Sequence, residues 1–174
     1  MATIDLIVLG MLKDEALSAY DIQKLVEYRN ISKWVKISTP SIYKKVIQLE
    51  EKGYVRSSIV KEGKMPEKAV YSLTEEGEKE FVELMTDISS KPVRIFLDFN
   101  AVIVNLAKLP ARNRNLCLTQ IEENVKSLKA YLEENMNIKE NIAEIPAEGK
   151  AVLQQQYILV QAIETWIASL KESI

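Results

Sequence analysis

The chain of 174 residues contains no histidine, one cysteine, and only five glycines and five prolines. The absence of histidine removes the commonest general base and the commonest metal ligand. The single cysteine, Cys117, excludes an internal disulfide, which is typical of proteins in a reducing cytosol. No uncharged apolar run reaches about 18 residues, the length that a membrane-spanning helix needs. We therefore expect a cytoplasmic protein without membrane contact, and we interpret Cys117 as an incidental thiol rather than a redox sensor.

Sequence signatures of enzymes are also missing. The chain has no glycine-rich phosphate loop and no spaced cysteine cluster. Its adjacent acid pairs, Glu50-Glu51, Glu75-Glu76 and Glu122-Glu123, lie on predicted helices. Neighbours on a helix point about 100° apart, so these carboxylates do not converge on a substrate. We expect no catalytic residues, no bound metal and no cofactor.

The net charge of −2 hides an uneven distribution of charge along the chain. Between Lys24 and Lys68 there are eleven Lys and Arg against five Asp and Glu, a local net charge of +6. Between Thr74 and Asp87, six acidic residues stand against one lysine, a local net charge of −5. Positive charge concentrated on one segment is typical of a surface that contacts phosphates, so nucleic acid is a candidate partner.

A short amphipathic helix is predicted at the centre of this basic segment. Pro40 is expected at its first position, where the missing N–H costs nothing. Ile42, Val46 and Leu49 recur at i, i+4 and i+7 and predict one buried face. Gly53 is a typical C-terminal cap. The opposite face is polar and available for contacts.

Two strand-like runs follow this helix, at residues 54–60 and 69–73. The connection between them, residues 61–68, is rich in lysine. This order predicts a β-hairpin with a cationic tip beside a helix with a polar face. A protein that reads DNA needs both parts, because the helix enters the major groove and the hairpin contacts phosphates.

Capping motifs predict further helices in the first half of the chain. Thr3 is expected to cap the first helix, and Ser18-Ala19-Tyr20-Asp21 has the sequence of a capping box for the second. Thr74 is expected to cap another helix after the hairpin. Small polar residues followed by Pro92 predict a domain boundary near residue 90.

The second half of the chain reads as three helices. The first, residues 93–109, is apolar nearly all round; the second runs from Pro110 to about residue 135, and the third spans residues 147–173. The last helix carries two apolar stripes, and a three-helix unit covers only one of them. We therefore predict a twofold-symmetric homodimer formed mainly by residues 93–174, with the first helix of the chain contributing.

Several motifs occur in order along the first half of the chain: Leu9-Gly10-Met11-Leu12, Ser18-Ala19-Tyr20-Asp21-Ile22, Ser41-Ile42-Tyr43, Leu49-Glu50-Glu51-Lys52-Gly53, Pro66, Lys68 and Tyr71-Ser72-Leu73-Thr74-Glu75-Glu76-Gly77. In these motifs the chain resembles the PadR family of bacterial transcriptional regulators, over residues 3 to about 85 and more loosely beyond. Two positions depart from the family pattern. Lys44 stands where proline often follows the tyrosine, and Ala19 stands where glycine is common.

Pattern and resemblance together predict a mainly α fold with a small β-hairpin. Residues 1–90 are expected to form a winged helix-turn-helix DNA-binding domain, and residues 91–174 a three-helix dimerisation domain. The expected DNA-binding residues are Tyr20, Ser41, Tyr43, Lys44, Lys45, Gln48, Lys61, Lys64 and Lys68. Helical faces and hairpin tips are also often polar because they are solvated, and a half-buried packing role remains open for the two tyrosines.

The C-terminal half supplies two further sets of candidate residues. The resemblance permits a small aromatic effector near the dimer interface, in a pocket lined by Trp34, Phe96, Phe99, Tyr157 and Trp166, although aromatic residues at helical spacing more often fill a core. The predicted dimer interface comprises Phe96, Val104, Leu159, Ile163, Trp166, Ile167 and Leu170.

The favoured function is a homodimeric, sequence-specific regulator of transcription that binds double-stranded DNA. The expected mode is a repressor on a palindromic operator, released by an effector if one exists. The alternative is a winged-helix module that binds other proteins and uses the helical half as a scaffold. Salt separates the two, because DNA binding releases counterions and weakens steeply with salt, whereas an apolar protein interface does not.

Overall fold

A computed structural model describes residues 2–38, 40–61, 67–140, 142 and 145–173. The chain divides into two compact units, one ending at Val93 and the other beginning at Arg94. Among the described residues, no helix combines the length and the apolar character needed to cross a bilayer. The first unit comprises α1 (Ala2–Asp14), β1 (Leu17–Ser18), α2 (Ala19–Tyr28), α3 (Ser41–Glu51), β2 (Val55–Val60), β3 (Lys68–Leu73) and α4 (Glu75–Ser89), with a 3₁₀ turn at Ile31–Lys33.

The three strands form one antiparallel sheet in the order β1, β3, β2. Strands β2 and β3 are the predicted hairpin, with Val55 opposite Leu73 and Val60 opposite Lys68. The two-residue strand β1 pairs Leu17 with Tyr71. The fold class predicted from the sequence, mainly α with a small β-hairpin, is confirmed, and the hairpin gains a third strand.

Two of the three predicted N-terminal helix caps are confirmed. The Ser18 hydroxyl accepts a hydrogen bond from the Asp21 N–H, and the Asp21 carboxylate accepts one from the Ser18 N–H, which completes a capping box. Thr74 caps α4 by accepting from the Gly77 N–H at 3.1 Å. The prediction for Thr3 is wrong, because α1 already begins at Ala2, a residue with the highest intrinsic helix propensity.

The first unit has one apolar core, on which α1, α2 and α3 converge. Its fully buried side chains include Val8 and Leu9 from α1, Ile22 and Val26 from α2, and the predicted inward residues of α3. The fourth helix adds Leu84, and the sheet adds Val55. Because α3 is buried along one face only, its other face is left at the surface of this unit.

A glycine is required where α4 starts against the turn that follows α3. A Cβ at Gly77 would lie 2.0 Å from the carbonyl oxygen of Tyr54, so any side chain there collides with backbone. Thr74 reinforces the junction, since its hydroxyl donates to the carbonyl oxygen of Gly53 at 2.7 Å. The end of α3 and the start of α4 are thereby fixed to each other.

The second unit comprises α5 (Asn100–Ile103), a 3₁₀ turn at Leu106–Lys108, α6 (Ala111–Glu140) and α7 (Ala147–Ser173). Contacts between the two long helices join the first part of α6 to the last part of α7, and the later part of α6 to the earlier part of α7. The Nζ atom of Lys171 lies 2.5 Å from Oε2 of Glu122, and that of Lys129 lies 2.7 Å from Oε2 of Glu164. The Tyr157 hydroxyl donates a hydrogen bond to Oε1 of Glu133 at 2.7 Å. Helices α6 and α7 therefore form an antiparallel pair.

The predicted helix over residues 93–109 is wrong in its extent. Only Asn100–Ile103 is α-helical, and most of the apolar side chains of this segment are exposed within the unit. Phe96 is 81% exposed and Val104 is 77% exposed. An apolar segment gains helical stability by packing a face against a neighbour, and its β-branched residues have modest helix propensity. Without such a neighbour in its own unit, most of the segment does not form a helix.

Candidate nucleic-acid interface

Helix α3 presents a continuous exposed face opposite its buried one. Ile42, Val46 and Leu49 are fully buried, as the periodicity predicts. Ser41, Tyr43 and Lys44 are exposed and Gln48 is half-buried. At 100° per residue these polar side chains share one side of the helix, so the structure brings them together as expected.

The two ends of α3 are held by backbone geometry. At the start, Pro40 precedes the helix and the Ser41 N–H donates to the carbonyl oxygen of Ser38 at 3.0 Å. At the end, Gly53 adopts the left-handed conformation with φ 77°, and the Gly53 and Tyr54 N–H groups donate to the carbonyl oxygens of Glu50 and Leu49. This is a Schellman cap, and the predicted role of Gly53 is confirmed.

A side-chain contact fastens the end of α3 to the hairpin. The Glu50 carboxylate accepts a hydrogen bond from the backbone N–H of Ser57 on β2 at 2.9 Å. Strand β2 is at the edge of the sheet, where an unpaired N–H group needs a partner. The hairpin therefore has a defined position beside the exposed face of α3.

Lys45 does not belong to the exposed face, and its assignment as a DNA contact is corrected. Its side chain is buried, at 9% exposure, and its Nζ atom lies 2.8 Å from Oδ1 of Asp5 on α1. On the helical wheel, Lys45 lies between exposed Ser41 and buried Leu49, so periodicity alone leaves its direction open. The carboxylate of Asp5 determines the inward direction of the Lys45 side chain, since a buried lysine needs an opposite charge.

Tyr20 and Tyr43 are both exposed and are accompanied by a lysine that the candidate set lacked. The Nζ atom of Lys24 lies 5.4 Å from the centre of the Tyr20 ring. A hydrogen bond to Glu27 raises the pKa of Lys24, and Tyr20 and Tyr43 add smaller contributions in the same direction. Lys24 is therefore a protonated side chain beside the ring of Tyr20. The signal in the sequence was the i, i+4 spacing from Tyr20 to Lys24 on one helix.

The described lysines of the hairpin flank its tip. Lys61 follows β2, and its Nζ atom lies 3.9 Å from Oε1 of Glu67. Lys68 is the first residue of β3, and its Nζ atom lies 3.8 Å from Oδ2 of Asp21, at the start of α2. The hydrogen bond from Ser18 lowers the pKa of Asp21, and Lys68 adds to the effect. Exposed pairs of this kind contribute little to stability, so a phosphate can replace the carboxylate at low cost. Lys64 lies outside the described residues.

Arg56 is a further exposed cation on the hairpin that the candidate set lacked. Its Nε donates to the Ser72 hydroxyl across the two strands at 3.2 Å. This contact holds the stem of the guanidinium group against the sheet while leaving the residue exposed. The first unit thus carries exposed cations on α3, on α2 at Lys24 and on the hairpin.

The candidate effector and dimer residues have varied environments. Within the second unit, Phe99 and Trp166 stack with ring centres 6.0 Å apart, while Phe96 is exposed. Trp34 belongs to the first unit. Val104, Leu159 and Trp166 are exposed, whereas Ile163 and Leu170 are partly buried against the core of the second unit.

Ile167 is withdrawn from the predicted dimer interface. Its side chain is completely buried in the core that α6 and α7 share, together with Val160 and Leu132. The two apolar stripes of α7 therefore differ in burial. The stripe containing Ile167 packs within the unit, and the stripe containing Leu159 and Trp166 remains partly exposed.

Comparisons with known proteins extend these observations. Residues 8–83 match the model of the transcriptional regulator PadR-like family. No curated protein sequence matches the chain closely enough to be a relative. Among solved structures, Bacillus subtilis PadR in complex with operator DNA is similar over 100% of this chain and 99% of its own, with a TM-score of 0.84 and 19% identity.

Two further solved structures share the fold over nearly the whole chain. Bacillus subtilis PadR in complex with p-coumaric acid has a TM-score of 0.77 and 18% identity, covering 96% of this chain and 92% of its own. The Vibrio cholerae virulence activator AphA has a TM-score of 0.69 and 19% identity, covering 98% and 99%. At these identities the likeness shows the fold that the chain shares with these proteins. Residues 8–83 are identified as a domain of the transcriptional regulator PadR-like family.

Proposed function

We propose that the protein is a cytoplasmic, homodimeric regulator that binds a palindromic DNA operator and represses transcription from it. The observation that carries this proposal is the exposed face of α3, with Lys44 and Gln48 beside the cationic hairpin. Lysine can donate to guanine or contact phosphate, and glutamine can form two hydrogen bonds with adenine. Tyr20, Tyr43, Lys24, Lys61 and Lys68 supply the phosphate contacts that set register without reading sequence.

The exposed apolar side chains of the second unit support dimerisation. Phe96 and Val104 are about four-fifths exposed, and Leu159 and Trp166 add to the exposed apolar surface. Apolar surface of this extent is costly in water and is normally covered by a partner. A second copy of the chain would cover it symmetrically and would place two α3 helices about one DNA turn, roughly 34 Å, apart.

We propose further that a small aromatic molecule releases the dimer from DNA. The support is the fold shared with PadR in complex with p-coumaric acid and the stacked pair Phe99 and Trp166 in this chain. An effector that favours one arrangement of the two DNA-binding units would change the separation of the α3 helices. p-Coumaric acid is the first probe to use in a competition assay with bound DNA.

The experiment that tests DNA binding is a fluorescence-anisotropy titration on the DNA upstream of the protein's own gene, at 50 to 200 mM KCl. We expect a steep fall in affinity with salt, as counterions are released. Lys44→Ala should lower the salt slope by about one per lysine removed, hence about two per dimer. The matched control is Lys79→Ala, an exposed lysine on the acidic helix α4, which should leave the slope unchanged.

A DNA titration at low salt also distinguishes this proposal from the protein-binding alternative. If the module binds proteins through apolar contacts, no DNA should shift at micromolar protein and low salt. Dimerisation is tested separately by sedimentation, in which a monomer at tens of micromolar would contradict the two-half-site model. Repression is tested by a reporter fused to the upstream DNA, whose expression should rise when the gene is deleted.

A further inference from the structure

One apolar side chain stands among the polar residues of the exposed face of α3. Ile47 is 51% exposed, although the three inward positions of the helix are occupied by Ile42, Val46 and Leu49. Ile47 lies one turn beyond Tyr43 and Lys44 and directly before Gln48. It therefore shares the surface that carries the proposed base and phosphate contacts, and it takes no part in the core.

An isoleucine at this position gains little from the fold of the isolated unit. Half of its side chain remains in water, and β-branching lowers its helix propensity slightly. Its stiff side chain is, however, well suited to a fixed apolar contact, because little rotamer freedom is lost on binding. The basic residues around Ile47 attract a polyanion to this face of α3. Ile47 lies on the same face, so we expect it to contact the same ligand.

In the major groove the C5 methyl of thymine is the apolar group that a side chain can contact. We propose that Ile47 contacts this methyl group in each half-site and so selects thymine at one operator position. The inference rests on the proposed DNA binding and deepens it by naming a base. Side chains at i and i+3 are about 5–6 Å apart, so the thymine should lie within about two base pairs of the position contacted by Lys44.

The test replaces thymine by uracil, which lacks the methyl group and keeps every hydrogen-bonding group of the base. A high-affinity site is first selected from random DNA with the wild-type protein, and each thymine is then replaced singly by deoxyuridine. We expect one position per half-site at which the substitution weakens wild-type binding about fourfold, the effect of one buried methyl group. The other thymines should tolerate the change.

Variants assign that effect to Ile47. Ile47→Ala should bind the methylated and unmethylated sites equally, whereas Gln48→Ala should keep the fourfold preference. Val82→Ala is the matched control, since Val82 is an apolar side chain on α4 with 60% exposure. It should leave both affinity and the uracil effect unchanged.

The outcomes distinguish the inference from the function on which it rests. Wild-type binding that is indifferent to uracil at every thymine would overturn the role of Ile47 while leaving DNA binding intact, as would a preference that persists in Ile47→Ala. Absence of any selected DNA would instead overturn the proposed function. The uracil scan uses the wild-type protein, so a negative scan overturns the role of Ile47 even if Ile47→Ala folds poorly. In that case Ile47→Thr, which has the same branching, is the variant that should lose most of the preference.

Discussion

Nζ of Lys45, on the helix proposed to read DNA, lies 2.8 Å from Oδ1 of Asp5, on the first helix of the chain. Both side chains are close to nine-tenths buried, so the pair ties α3 to α1 inside the core. A buried pair is costly to break, because loss of one partner leaves the other as an uncompensated charge. The orientation of α3 thus depends on a contact to a residue forty positions earlier.

We predict that Lys45→Met lowers the free energy of unfolding by about 3–5 kcal/mol, whereas Asp5→Leu combined with Lys45→Met recovers most of the loss. Lys44→Met, one residue away and exposed, should change it by less than about 0.5 kcal/mol. Urea unfolding followed by circular dichroism measures all three. Equal effects of Lys44→Met and Lys45→Met would contradict the burial of Lys45.

Lys44 and Lys45 should also differ in their contributions to the salt dependence of DNA binding. The stable double variant Asp5→Leu/Lys45→Met should keep the wild-type salt slope, because Lys45 does not contact phosphate. Lys44→Met should lower that slope by about two per dimer. A lower slope in the double variant would return Lys45 to the DNA-binding surface.

Gly77→Ala should destabilise the first unit. Its Cβ would lie 2.0 Å from the Tyr54 carbonyl oxygen, and the backbone on both sides is held by Thr74. Overpacking of this kind costs about 1–3 kcal/mol, and more where backbone must move. Gly149→Ala on α7 is the control, because its nearest neighbour, Ile145, is 3.7 Å away. That change should stabilise by about 0.4–1 kcal/mol, and thermal unfolding measures both.

Glu122 should make the second unit sensitive to acid. Hydrogen bonds from Lys126 and Lys171 lower the pKa of Glu122 from 4.5 to about 2. Because the folded pKa lies below the unfolded one, the stabilisation is complete above about pH 4.5 and is lost as the pH falls towards 2. The Tm of the wild type should therefore exceed that of Glu122→Gln at pH 6, and the gap should close near pH 2.

The control for this pH dependence is Glu123→Gln, an exposed neighbour on the same helix. Its Tm should follow that of the wild type across the range. A gap between wild type and Glu122→Gln that stays constant down to pH 2 would show that Glu122 keeps an ordinary pKa in the folded protein.

Local sequence signals predicted much of the first unit. The capping box at Ser18, the cap at Thr74 and the terminating Gly53 each depend on residues within a few positions, and all three are confirmed. Strand β1 was missed, because two residues are too short to show a period. Its pairing with Tyr71 depends on chain more than fifty residues away.

Other features depended on contacts that periodicity does not contain. The helical period places Lys44 on the exposed face but leaves Lys45 at the boundary, and the contact with Asp5 determines that Lys45 is buried. Ile47 was missed because an apolar residue on a helix is normally assigned to the core. The apolar segment after Pro92 predicted a buried helix, yet Phe96 and Val104 find no cover within their own unit.

Site-directed DNA cleavage tests the position of α3 most directly. Glu51, exposed on the same face one turn beyond Ile47, is replaced by cysteine in a Cys117→Ser background and labelled with an iron–EDTA chelate. With α3 in the major groove of each half-site, strand cuts should form two clusters about 10 base pairs apart. The same label at Lys79→Cys should give no such clusters. Cleavage from Glu51→Cys that is absent, or indistinguishable from the Lys79→Cys control, would contradict the placement of α3 in DNA.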